Sequence, residues 1–317
     1  MEVLERVDHD RLAQLRERDE FFWLDLTGPS PDEIKLLGEL LGLHPVAIED
    51  TVEFDQRPKL DSYGDHLLFV FYTVRKGRNT GEGLFEPVEV HIYISGSFVV
   101  TIRHAECTQL DALHHELDTA DSKAEDYIVY KVFDVLTDAF YPIIDALEER
   151  IDALESHVLL SRPSREQLAD ISRLNQRVPE LALRVIPQRD RFSSGTDAIL
   201  NLPGLARSAR EYLRDVGDHL VQIAGELHRQ QEDLTALTAT YFNANANRLN
   251  AVATRLTIGG TFFLIWTLVT GFFGQNFGWL VRNIDSRHDF YLYGVSALVI
   301  PTLIVGTLFW VKRKDWF

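Results

Sequence analysis

Hydrophobic and polar positions follow three different rhythms along this chain. In the first third, short runs rich in β-branched and aromatic residues (FFWLDL, HLLFVFYTV, VEVHIYISGSFVVTI) alternate with amphipathic stretches. That is the pattern of a sheet covered by helices. SPDEIKLLGELLG reads as a helix, with Ser30 as N-cap, Asp32 and Glu33 in its first turn and Gly42 as its stop. GRNTGEG, from Gly77, is a turn-rich loop. After residue 108 the strand signals stop. From Glu125 to about His157 apolar residues recur at helical spacing, among them Ile128, Val132, Val135, Phe140, Ile144, Leu147, Ile151 and Leu154. SRPSRE breaks this pattern, and Ser164 caps a following helix that is expected to kink at Pro179. SSGTDAILNLPG reads as a loop. From about Ser208 the helical pattern resumes and runs on without proline or a turn cluster.

The third rhythm is apolar throughout. Arg255 and Arg282 enclose a stretch with no charged residue. Leu256 to Phe273 alone is 18 residues, about 27 Å of helix against the roughly 30 Å of a hydrocarbon core. A second uncharged run, Phe290 to Val311, has 22 residues, and the link VRNIDSRHD is short and polar. The pair predicts a helical hairpin across a lipid bilayer. Lys312, Arg313 and Lys314 directly follow the second run, while Arg248 and Arg255 precede the first. This bias puts both termini in the cytosol and the loop, with Arg282, Asp285, Arg287 and Asp289, outside. The expected divisions are a cytosolic α/β domain over 1–107, a helical region over 108–255 and a first membrane helix over 256–276. An outer loop over 277–289, a second membrane helix over 290–311 and a basic cytosolic tail over 312–317 complete the chain.

Charge changes the picture slightly. Acidic residues number 48 and basic ones 32, a formal charge of −16. Such a chain repels nucleic-acid phosphates and draws cations, or is simply kept soluble. Cys107 is the single cysteine, so neither an intrachain disulfide nor a cysteine metal cluster is expected. The start MEVLERVDHDR has no apolar stretch, and no cleavable signal is expected. HExxH, GxSxG and GxxxxGK[ST] patterns do not occur, which argues against an enzyme and against nucleotide-driven transport. His104, at a strand end, reads as a surface or core residue, and Trp266, Trp310 and Trp316 as lipid-facing or interfacial anchors.

One stripe along the first apolar run stands out. Asn250, Ala253, Leu256, Gly260, Leu264, Thr267, Gly271 and Gly274 are spaced by threes and fours and so share one helix face. The membrane part of that face is small or mildly polar, while Phe262, Phe263, Ile265, Trp266, Phe272 and Phe273 fall mostly elsewhere. Two readings stay open: close helix packing through small residues, or several copies of the helix around a narrow pore that Thr267 and Asn250 would touch. The run ends GFFGQNFGWL. Gly271 and Gly274 permit close approach or bending, and Asn276 would set a neutral carbonyl at the pore mouth. A strongly hydrated ion such as Mg²⁺ gives up water reluctantly, so a neutral ring suits selection followed by release.

YLRDVGDHLVQIAGEL, YFNANANRLNAVATRLT, GQNF and the tail KRKDWF, in that order, resemble the CorA family of divalent-cation transporters, as does IEDTVEFDQRPKLDSYGDHLLFVFY nearer the start. The resemblance runs from about Phe21 to the end. It implies a homopentamer with a cytosolic α/β domain, long stalk helices and two C-terminal transmembrane helices in the plasma membrane. GQN, residues Gly274, Gln275 and Asn276, stands as a variant of the family's Gly-Met-Asn motif, whose asparagine holds a hydrated cation at the outer pore entrance. By the same resemblance Asn250, Leu256, Leu264 and Thr267 line the pore. Asp50 and Asp215 match carboxylates of an intersubunit regulatory magnesium site, with Glu49, Asp134 and His219 near a second site. Carboxylates of adjacent subunits repel unless a cation lies between them, so filled sites would hold the ring closed. The implied function is Mg²⁺ uptake, with Co²⁺ as a further cargo, driven by the membrane potential. Gln275 replaces the family's methionine, and members altered there include Zn²⁺ transporters; zinc transport and a non-conducting, membrane-anchored metal sensor are the alternatives. The outer loop also lacks the family's MPEL-like segment.

Overall fold

Strand alternation sorts the first third of the chain into two apolar faces. The computed structural model describes residues 2–77, 85–118, 125–203, 209–275, 278–284 and 286–311. The loop expected at 78–83, Asn276, Asp285 and the basic tail 312–317 with Trp316 lie outside the described residues. Six strands form one sheet in the order β1-β2-β6-β5-β4-β3. They are β1 (Glu2–Leu4), β2 (Phe22–Thr27), β3 (Lys59–Ser62), β4 (His66–Lys76), β5 (Phe85–Ser95) and β6 (Phe98–Arg103). β2 runs parallel to β1 and β6, and the remaining pairs are antiparallel.

Helices α1 (His9–Glu17), α2 (Pro31–Leu41) and α3 (Pro45–Glu53) cover one face. There Leu12, Leu37 and Ala47 share a core with Phe22, Leu24, Leu68 and Val70. The alternate residues Trp23, Leu67, Phe69 and Phe71 point to the other face. They share a core with Leu110 of α4 (Thr108–Asp118), Val132 and Phe133 of α5 (Glu125–Asp138), Phe192 of α7 (Arg165–Leu200) and Val216 of α8 (Ala209–Phe273). Helix ends follow the expected chemistry. Ser30 and Glu33 close a capping box, and Gly42 stops α2 in the left-handed conformation at φ 71°. Ser164 and Gln167 cap α7 in the same way.

Two expectations need correction, and one helix was not foreseen. The helix read from Glu125 to His157 is two, α5 and α6 (Tyr141–Leu160), because Pro142 sits in the first turn of α6 and restarts the ladder. α7 continues through Pro179 and Pro187 as far as Leu200, so the loop expected at SSGTDAILNLPG begins only at Asn201. Its Ser-Ser-Gly segment serves packing rather than turning. A Cβ at Gly195 would lie 2.7 Å from Leu60 Cδ1 of β3, and the Ser194 hydroxyl donates back to the Asp190 carbonyl at 2.9 Å. α3, which carries Glu49 and Asp50, was not legible as a helix.

The chain divides into two compact units, Met1–Thr238 and Ala239–Phe317. The second unit holds the rest of α8, then α9 (Gly278–Asn283) and the helix Arg287–Val311, whose Phe290–Val295 turn is π-helical. The expected polar link is thus partly helical, and Ser286 caps the second span. α8 and Arg287–Val311 are long and apolar enough to cross a membrane, with mean hydropathy 1.7 and 2.0 in their most apolar windows, and neither window has a buried residue.

Candidate functional site

Two groups of residues carry the expected chemistry, one on each unit. On α8, every member of the stripe from Asn250 to Gly274 is exposed. A different face of the same helix meets the second span. Phe262 lies 6.2 Å from Phe309, and the Trp266 indole donates to Thr302 Oγ1 at 3.1 Å. Ile258, Gly259, Phe262, Ile265, Val269 and Phe273 on that side are half-covered. The bulky residues off the stripe therefore divide: Phe262, Ile265 and Phe273 are half-covered, whereas Phe263 and Phe272 are exposed. Trp266 is exposed but also links the two spans.

Threonine geometry along the helix matters for what the stripe can bind. Thr267 donates its hydroxyl to the Phe263 carbonyl at 2.7 Å, a bond within the helix. Its proton is engaged within the helix, which leaves the hydroxyl oxygen as an acceptor. The Gly274 and Gln275 backbone N–H groups bond back to the Thr270 and Phe272 carbonyls, closing the helix. Gln275 is exposed.

The second group lies in Met1–Thr238. On α5, Asp134 and Asp138 stand one turn apart, and His219 of α8 joins them. One ligand atom from each comes within 4.8 Å of the others. His219 Nδ1 is buried without a hydrogen bond and lies 3.5 Å from Asp138 Oδ1. Burial and the nearby Asp134 carboxylate push the Asp138 pKa up. Two carboxylates and an imidazole fit a divalent ion, and the imidazole suits Zn²⁺ or Co²⁺ better than Mg²⁺. Asp215, one turn before His219, lies 3.9 Å from its Nε2 and accepts from the Tyr130 hydroxyl at 3.5 Å. Burial, with Asp134 adding to it, pushes the Tyr130 phenol up to about 12, so it stays a donor.

The structure thus brings Asp134, His219 and Asp215 into one neighbourhood and gives Asp50 other partners. Asp50 is ion-paired with Lys59 at 2.6 Å, and Glu49 beside it is exposed. Asp134 is likewise paired, with Lys131 at 2.8 Å. Sequence reasoning missed Asp138, Lys59 and Lys131. Asp138 carried a signal, because carboxylates at i and i+4 on one helix share a face; the lysines carried none beyond proximity along the chain.

The family model "CorA-like Mg2+ transporter protein" matches residues 18–313. The cobalt/magnesium transport protein CorA of Thermotoga maritima is 26% identical over 98% of this chain and 87% of its own length. A zinc transport protein ZntB of Yersinia enterocolitica is 23% identical over 93% of this chain and 87% of its own. Among solved structures, the CorA magnesium transporter of Methanocaldococcus jannaschii shares the fold with a TM-score of 0.78 at 19% identity, covering 93% of this chain and 91% of that one. The two apolar helices and these likenesses make this a membrane protein with a soluble α/β domain. The chain belongs to the family of CorA-like Mg2+ transporter proteins, divalent-cation transporters rather than enzymes.

Proposed function

We propose that this chain is one subunit of a homopentameric channel in the plasma membrane, with both termini cytosolic, that lets Mg²⁺ and secondarily Co²⁺ run inward. The observation that carries the reading is the stripe. Its eight positions are exposed while a neighbouring face is taken by the second span. A lipid-facing surface has no use for Thr267 and three glycines, whereas five copies around an axis would bury them against each other and a water-filled path. Asn250, Leu256, Leu264 and Thr267 line that path, and Gly274, Gln275 and Asn276 form its outer entrance. The membrane potential supplies the drive, about 4.6 kcal/mol per 100 mV for a divalent ion, twice the value for a unit charge.

Gating follows from the carboxylates. α8 carries Asp215 and the stripe on one uninterrupted helix. Asp50 with Asp215, and Glu49 with Asp134 and His219, would hold regulatory Mg²⁺ when it is plentiful in the cytosol. Zinc is the second reading, favoured by Gln275 in place of methionine and by the imidazole beside Asp134 and Asp138.

Flux into proteoliposomes, compared for Mg²⁺, Co²⁺ and Zn²⁺, tests both readings. Mg²⁺ and Co²⁺ entry is expected, lost in Asn276→Ala. Asp215→Lys should loosen inhibition by internal Mg²⁺; unchanged inhibition would remove Asp215 from the gate. Entry of Zn²⁺ alone would favour the second reading. Mg²⁺ binding with no flux of any ion would leave a membrane-anchored sensor.

A further inference from the structure

The turn that follows α3 is built in an uncommon way. Phe54 and Asp55 both lie in the left-handed region, at φ 51° and 56°, where side chains are disfavoured. The Phe54 ring is fixed between His91 at 4.5 Å and His104 at 3.8 Å, and the Gln56 backbone N–H donates to Glu89 Oε1 at 3.0 Å. This pinned reversal sends the chain back along α3, so Lys59, nine residues on, returns to Asp50. Lys59 is also held at its backbone, as the first residue of β3, opposite Val70 of β4.

Its ammonium lies 2.6 Å from Asp50 Oδ2 and 3.6 Å from Asp61 Oδ2. Both ends of the 2.6 Å pair are mostly covered, with 28% and 18% of the side chains exposed. Burial works against the charge on Lys59, yet its bond to Asp50 and the Asp61 charge outweigh that and hold the pKa raised. The ammonium thus stands where a cation bound to Asp50 and Asp61 would stand, and a divalent ion must displace it.

We propose that Lys59 is a tethered competitor at Asp50 that sets the cytosolic cation concentration at which the regulatory site fills. The inference rests on the reading of Asp50 as a regulatory ligand. Removing the ammonium leaves two carboxylates facing one space, which strengthens attraction for a small divalent ion. Lys59 is a positioning residue: it touches the ligand rather than the transported ion.

Thermal unfolding of the purified full-length protein, titrated with Mg²⁺ after chelation, gives a readout independent of transport. Lys59→Met should lower the Mg²⁺ concentration for half-maximal stabilisation about fivefold, the weight of one partly covered ion pair. Lys59→Arg should restore the wild-type value, and Lys59→Gln repeats the test should the Met variant fold poorly. The half-inhibiting internal Mg²⁺ in flux assays should move in step. Asp50→Asn should raise the half-point and make Lys59→Met silent when the two are combined. A Lys59→Met protein that melts lower with an unchanged Mg²⁺ half-point would show a plain structural ion pair and overturn the proposal, while the Asp50 reading stands if Asp50→Asn still shifts it. An Asp50→Asn protein with an unchanged half-point would overturn the regulatory reading and the competitor with it.

Discussion

In β4, Phe69 and Phe71 are wholly buried, each within about a ring's width of Phe133, at 5.6 and 5.4 Å. In the first span, Leu264 is 73% exposed and Phe263 68%. Both regions are built from apolar residues, but only the sheet domain finishes its burial within one chain. Its six strands present two apolar faces, and helices cover both. Each span covers one face with the other span and leaves the rest open. Lipid suits the bulky part of that remainder. In the proposed assembly the stripe of Gly260, Thr267 and Gly271 would meet other copies of the chain instead. An open face thus reports assembly only when its composition is wrong for lipid.

Truncation in each region is the strongest way to break this contrast. Phe133 packs on Phe69, Phe71 and Phe192, and Phe133→Ala should lower the stability of the sheet domain by about 3–5 kcal/mol. Leu264→Ala should leave that unfolding transition where it is, because its side chain has no core to leave a cavity in. Calorimetry of both variants in detergent decides. Equal losses would mean that the stripe is as fully packed as the sheet, and the case for a water-filled path would fail.

The next test sharpens the comparison on the polar side. Asp25 is buried in β2 and accepts from Arg103 and, at 2.5 Å, from Thr101, while Arg103 also reaches Asp111. Burial alone would raise its pKa, but the His114 imidazole 3.4 Å away, the Arg103 guanidinium and the bond from Thr101 outweigh that and hold it below the usual carboxylate range. A depressed folded pKa contributes stability above the unfolded value, near pH 4, that disappears as pH falls through the folded value. Asp25→Asn should therefore cost about 3 kcal/mol at neutral pH, by leaving Arg103 short of a counter-charge. It should also flatten the acid limb of stability below about pH 4, followed by circular dichroism. A steep acid limb in the variant would move the effect to other carboxylates.

How much of this was legible in the sequence follows the same divide. β2, β4, β5 and β6 announced themselves through short runs of apolar, β-branched and aromatic residues, and Ser30, Gly42 and Ser164 through capping chemistry, because these signals are local. The stripe was legible for the same reason: helical spacing holds a face together without a fold. Ser193 to Gly195 misled, since glycine reads as a turn and here serves the approach of α7 to Leu60, a contact made over a long sequence separation. The carboxylates fall between these cases. Asp134 and His219 meet only because α5 and α8 pack together. Lys59 finds Asp50 only because two left-handed residues reverse the chain.

The smallest effect belongs to the membrane pair itself. Trp266 donates to Thr302 Oγ1, and Thr302 donates in turn to the Leu298 carbonyl at 2.6 Å. Trp266→Phe keeps an aromatic ring at the site and leaves no donor stranded, because Thr302 retains its own bond. The loss should be about 0.6 kcal/mol, the usual size of a hydrogen bond between membrane helices. That corresponds to a modest shift in the midpoint of unfolding in mixed detergent micelles. Thr302→Val should give a similar shift, and the double variant no more than either alone, because both remove the same bond. Additive losses would instead show that ring and hydroxyl act on different neighbours, and that the hairpin is held by packing along Phe262 and Phe309 rather than by this link.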